Sequence, residues 1–185
     1  MKKLIIAAAM LLPSLALAHP GHEHTSMAEG LWAGFTHPLL GLDHLLALLA
    51  VGIMGARVAG KKGFALAASF VVMMIVGFYA GHAGIHGVAA GTIETLITAS
   101  IIAGGLFVLM GSLLKRHHIV SGIGSIAMSG FAVFHGLAHG IEVPVGAAMN
   151  GFALGFVAAC SLVIALSYFA AQKMGKKAAS AQVSV

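Results

Sequence analysis

The sequence predicts an all-α membrane protein: a polytopic bundle of five transmembrane helices behind a cleaved signal peptide. Three observations carry that reading. The 185 residues are 59% hydrophobic and only 8% charged, whereas soluble domains run near a quarter charged. Five apolar stretches, at about 30–56, 64–86, 92–114, 119–141 and 146–171, each reach the roughly 20 residues that cross a bilayer. Basic residues fall on alternate connections. Arg57, Lys61 and Lys62 follow the first stretch, Lys115 and Arg116 the third, and Lys173, Lys176 and Lys177 the fifth. Such a composition excludes an ordinary soluble enzyme, a nucleic-acid-binding domain and a disordered chain. The ten Lys+Arg against five Asp+Glu therefore set orientation in lipid and leave no role for nucleic acid as a partner.

Taken in order, the chain begins with Lys2 and Lys3, an apolar run from Leu4 to Leu12, a break at Pro13-Ser14 and an Ala16-Leu17-Ala18 cleavage pattern. Residues 1–18 read as a secretory signal peptide. Cleavage would leave His19 as the amino terminus of a His-rich tail, residues 19–29. Residues 30–177 form the five-helix domain and residues 178–185 a short tail. The positive-inside rule puts the mature amino terminus outside, on the periplasmic face of a bacterial inner membrane, and the carboxyl terminus inside. The connections are short, so neighbouring helices should be antiparallel. The 25 glycines suit close helix–helix approach in lipid. Cys160 is alone, which excludes a disulfide framework and a thiolate metal cluster.

Histidine is the odd item: eleven, more than twice the acidic count. All five acids (Glu23, Glu29, Asp43, Glu94 and Glu142) and nine of the histidines fall toward the predicted outer side. Only His117 and His118 sit inside, where they read as a cytoplasmic loop. An internal repeat organises part of the set. Residues 77–87 and 130–140 share the pattern Gly-Phe-x-x-x-His-x-x-x-His-Gly. The copies end the second and fourth spans, which run in the same direction, so the repeat is parallel.

The chemistry lies in three stretches. The first span holds His37, Asp43 and His44. On one straight helix the two histidines share a face about 10 Å apart along the axis, with Asp43 on an adjoining face. Pro38 can loosen the ladder between them. An ionised Asp within a span costs on the order of 3 kcal/mol unless paired or hydrated, so a ligand or pathway role is the default. The second span offers His82 and His86 at i, i+4. The fourth offers His135 and His139 at the same spacing, with Glu142 three residues on. Imidazole and carboxylate ligands suit borderline divalent metals, so these eight residues are the candidate metal ligands. Glu94 is an additional candidate, equally explained by the helix amino terminus. Asn150 reads as a hydrogen-bonding residue between helices. His19, His22 and His24 are candidates for metal capture on the outer side. The methionines form no outer-face cluster and Met73-Met74 reads as packing, so soft-ligand Cu(I) transport is not favoured. No ATP-binding loop or zincin motif occurs.

Two of these stretches carry a resemblance. His37-Pro38-x-x-Gly41-x-Asp43-His44 resembles the signature of the HupE/UreJ family of nickel permeases. Phe134-His135-Gly136-x-Ala138-His139-Gly140-x-Glu142 is similar to that family's second motif. The resemblance covers the leader, the His-rich start and all five spans. It implies secondary transport of Ni(II), in some members Co(II), into the cytoplasm, and a link to hydrogenase or urease.

The expected activity is thus import of a divalent metal, with no enzymatic turnover. Ni(II) is the expected cargo, and Co(II) and Zn(II) fit the same ligands. Ligating histidines must be neutral, so uptake should weaken in acid. The rival readings are an intramembrane metal-dependent hydrolase and a metal sensor without flux. The expected partners are the bilayer and the ion; homo-oligomerisation stays open.

Overall fold

Every described segment is helical, as a backbone that must satisfy its own hydrogen bonds in lipid requires. The computed structural model of the chain describes residues 26–58, 60–85, 87–114, 117–143 and 147–183. Among them are six α-helices: α1 (Met27–Leu40), α2 (Leu42–Val58), α3 (Gly60–His82), α4 (Ala90–Leu113), α5 (His117–Glu142) and α6 (Ala147–Val183). Helices α3 to α6 are each long and apolar enough to cross a membrane, and α1 with α2 forms a fifth, broken span bent by 77°. The predicted leader and His19, His22 and His24 lie outside the described residues, while the end of the predicted tail, residues 26–29, caps and opens α1.

The break corrects the expectation of one continuous first helix. Helix α1 starts on a capping box. The Ser26 hydroxyl accepts from Glu29 N–H and the Glu29 carboxylate accepts from Ser26 N–H, both at 3.2 Å. Pro38 then supplies no amide proton to the turn before it. Gly41 leaves the helix for extended backbone at φ −80°, ψ 108°. The ladder resumes at once, with Leu45 N–H donating to the Gly41 carbonyl at 3.0 Å.

Other boundaries move by a few residues, with consequences for the candidate ligands. Helix α3 ends at His82, short of residue 86. Gly84 takes φ +75°, and Ile85 N–H bonds Ala80 O while Gly84 N–H bonds Gly81 O. This is a Schellman termination, for which glycine's left-handed backbone is suited. His86 falls past it and outside the described residues. His117 and His118 open α5 as exposed helical residues and do not form the expected loop. Helix α4 starts at Ala90, so Glu94 sits one turn in, exposed. Helix α6 has 37 residues, well beyond the roughly 20 a span requires.

Glycine decides which helices touch most closely. A Cβ at Gly77 or Gly81 of α3 would overlap the Val133 or Leu137 carbonyl of α5. One at Gly136 or Gly140 of α5 would overlap the Met74 or Phe78 carbonyl of α3. The same reciprocal arrangement joins α1 to α6: Gly30 and Gly34 meet Ala148 and Phe152, and Gly151 and Gly155 meet Met27 and Leu31. Both pairs are parallel small-xxx-small contacts. The two pairs enclose α2, whose Val51 and Met54 are fully buried. Helix α4 is the outlier, turning Ile102, Leu106, Leu109 and Leu113 outward, as a lipid-facing helix does.

Candidate metal site

The bend at Gly41 makes the site. On a straight helix His37 and His44 would lie a turn and more apart. Across the break their ring centroids come to 5.2 Å. From α5, His139 joins them, its ring 4.5 Å from His37 and 4.9 Å from His44. One ligand atom from each of His37, His44 and His139 lies within 4.8 Å of the other two. Among the described residues this is the one cluster of three or more potential ligands.

Gly41 serves the site through space and not through backbone freedom. A Cβ there would stand 2.9 Å from both Asp43 Oδ1 and His44 Nδ1. Those two atoms are themselves 2.9 Å apart. The Asp43 carboxylate accepts the Nδ1 proton of His44, which leaves His44 Nε2 with its lone pair. That nitrogen faces His139 Nε2 at 2.7 Å, so with His44 neutral the His139 N–H donates to it. Asp43 therefore orients and polarises a candidate ligand from behind, the carboxylate–histidine arrangement common in metal sites. His37 Nε2 is buried with no hydrogen-bond partner among the described residues, a costly condition for a ring nitrogen in an apolar setting.

The remaining candidates separate by position. His135 is buried beside the cluster, its ring 5.4 Å from His44. Its Nε2 lies 3.0 Å from Ser100 Oγ. That hydroxyl already donates to Ile97 O at 2.6 Å, so it accepts from His135. His82 is half-buried at the end of α3 and Glu94 is exposed; neither enters the cluster. Glu142 ends α5, but its side chain lies outside the described part. Asn150 is exposed, with no interhelical bond among the described residues.

Sequence reasoning missed the walls. Phe152 and Phe156, one turn apart on α6, stack on each other and pack against His37 and His139. Phe156 is 2% exposed, so one side of the cluster is apolar and dry. Below it, His44, His135, Met74 and Cys160 line a cavity of about 10 Å³, room for about one water. The i, i+4 spacing of two aromatics was the available signal, but nothing in α6 alone says which helix they face.

The cluster draws its three histidines from both of the motif stretches singled out in the sequence. A family profile described as HupE / UreJ protein matches residues 7–185. The chain belongs to the HupE/UreJ family. It is 36% identical over 170 residues to Protein HupE of Rhizobium leguminosarum bv. viciae, which covers 91% of this chain and 83% of that one. No solved structure matches the chain. In this HupE/UreJ chain the two motifs, nearly a hundred residues apart, meet at His44 and His139.

Proposed function

We propose that this chain is a secondary importer of Ni(II), accepting Co(II), that carries the ion from the periplasm to the cytoplasm and supplies a nickel enzyme such as hydrogenase or urease. The observation that carries the reading is the three-histidine cluster across the Gly41 break. Family membership supports the choice of cargo, and the alternating basic connections support the orientation.

The geometry suits capture of a divalent ion by neutral imidazole. Two imidazoles on one ion at about 2.1 Å stand roughly 3 Å apart. The His44–His139 pair starts at 2.7 Å, so a small rotation lets both nitrogens face a cation. Binding requires the ring proton of His139 on Nδ1, so that Nε2 of each neutral imidazole presents a lone pair. His37 completes three nitrogen ligands, and Asp43 offsets the arriving charge from behind His44. The walls of Phe152 and Phe156 keep water off one side, which strengthens each electrostatic contact. A negative-inside membrane potential favours entry of a divalent ion by about 4–5 kcal/mol per 100 mV. Uptake therefore requires no nucleotide site.

The test is accumulation of radioactive nickel in cells expressing the full chain, with cobalt and zinc as competitors. Wild type should accumulate nickel, and His44→Ala should not. Unchanged accumulation in a correctly inserted His44→Ala variant would overturn the reading.

A further inference from the structure

The buried face of α5 that carries His139 and His135 continues through Ala132 and Met128, both fully buried, and carries three serines alongside and beyond them. Counting back at about 100° per residue, Ser129, Ser125 and Ser121 fall within roughly 120° of arc with the two histidines. At 1.5 Å per residue the stripe from His139 to Ser121 runs about 27 Å, most of a bilayer. Ser121 is 0% exposed, Ser125 1% and Ser129 8%. Helical serines ordinarily satisfy themselves on a carbonyl one turn back. Ser100, Ser112, Ser129 and Ser167 all do so here. Ser121 and Ser125 do not: their hydroxyls are buried with no hydrogen-bond partner among the described residues. Two unpaired hydroxyls in succession on the helix face that holds the ion ligands are an unfavourable arrangement for packing alone.

The stripe ends beside a cation. A Cβ at Gly111 of α4 would meet both Arg57 Nη1, at 2.6 Å, and Ser121 Oγ, at 3.1 Å. The missing side chain leaves the guanidinium and the last serine facing one small space. Arg57 ties the end of α2 to the end of α4, donating to Val108 O at 2.7 Å and to Ser112 Oγ at 2.6 Å.

We propose that Ser129, Ser125 and Ser121 form the inner leg of the ion's route, offering hydroxyl oxygens, directly or through water, to a divalent cation that has left the histidines. The inference rests on the uptake function proposed above. Neutral oxygens hold such an ion more weakly than imidazole nitrogens, so each step inward favours release, as conduction requires. Arg57 stands at the end of the leg. Its positive charge opposes an approaching cation, so it must leave Val108 and Ser112 for the ion to pass.

The experiment uses the full chain carrying Ser121→Ala and Ser125→Ala together. Nickel accumulation in cells should fall at least tenfold. Equilibrium binding of Ni(II) to the purified protein should stay within twofold of wild type, because the histidines are untouched. The thermal midpoint should hold or rise, because the variant removes unsatisfied hydroxyls. A purely structural role predicts the same midpoint with normal accumulation, and that result overturns the inner leg. Ser125→Thr alone, which keeps the hydroxyl, should retain flux; a tenfold loss there with Ser125→Ala normal would also overturn it. His44→Ala separates the two readings. If it accumulates nickel normally, the uptake proposal fails. If it is inactive while the serine variant is normal, only the inner leg fails.

Discussion

Residues 77–87 and 130–140 share one sequence pattern, yet they occupy different surroundings. In the second copy, Gly130 faces open space, His139 is buried within the cluster and His135 is buried beside it. In the first, Gly77 is pressed against the Val133 carbonyl, His82 is the last residue of its helix, and the chain has turned away before residue 86. The glycine contacts explain why. Gly77 meets Val133 and Gly81 meets Leu137, whereas equal depth would set Gly77 level with Gly130. With Gly136 against Met74 and Gly140 against Phe78 as well, the copies are displaced along each other by about six residues, between one and two helical turns, and α3 stops while α5 goes on. A repeated motif thus fixes spacing within a helix but not depth in the bundle, and depth decides which copy reaches the histidine cluster.

Substitutions at equivalent positions test this difference directly. The largest contrast should come from glycine. Gly77→Leu forces a side chain into the α5 backbone and should prevent accumulation of inserted protein. Gly130→Leu, its counterpart, should leave membrane levels and nickel uptake within twofold. Immunoblots of membrane fractions read both. Histidine comes next. His139→Ala should lower nickel uptake at least a hundredfold, and His82→Ala less than twofold. Equal losses would return His82 to the set of ligands. Asp43→Asn keeps the shape but turns an acceptor into an ambiguous amide behind His44. It should weaken Ni(II) binding by about 10–100-fold, measured by titration of purified protein. The smallest effect should be Gly84→Ala. It places a Cβ on a left-handed residue, at roughly 1–2 kcal/mol, and should lower the thermal midpoint while leaving nickel affinity unchanged.

Much of the architecture was legible because lipid makes helix and length nearly synonymous. The apolar stretches appear as helices, with ends shifted by a few residues except in α6, which runs to Val183, twelve residues past the expected end. The first span was the exception. Pro38 was visible as a weak point, but the break falls at Gly41, where a Cβ would crowd the Asp43–His44 pair. That same break folds His37 back onto His44, so a face computed for a straight helix misjudged their separation. Within the site, His37, His44 and His139 were legible as candidates from spacing and from the rarity of an Asp-His pair in an apolar run. The part of Asp43 as a support behind His44, the Ser100 acceptor for His135 and the wall of Phe152 and Phe156 were not. Each depends on which faces of different helices meet, and no single-helix period encodes that. The paired glycines four residues apart carry some of this information, since they mark where two backbones touch.

Those paired glycines also constrain the mechanics of the molecule. Backbone-to-backbone contact leaves little freedom to slide or separate, so α1 with α6 and α3 with α5 each behave as one stiff jaw. His37 rides on the first jaw and His139 on the second. His44 sits on α2, hinged to the first jaw at Gly41. Any motion that parts the jaws pulls the three imidazoles from one another, and on the uptake reading proposed above an ion held by all three would clamp the jaws shut. Holding the cargo and sealing the passage would then be a single event, and letting go the act of opening.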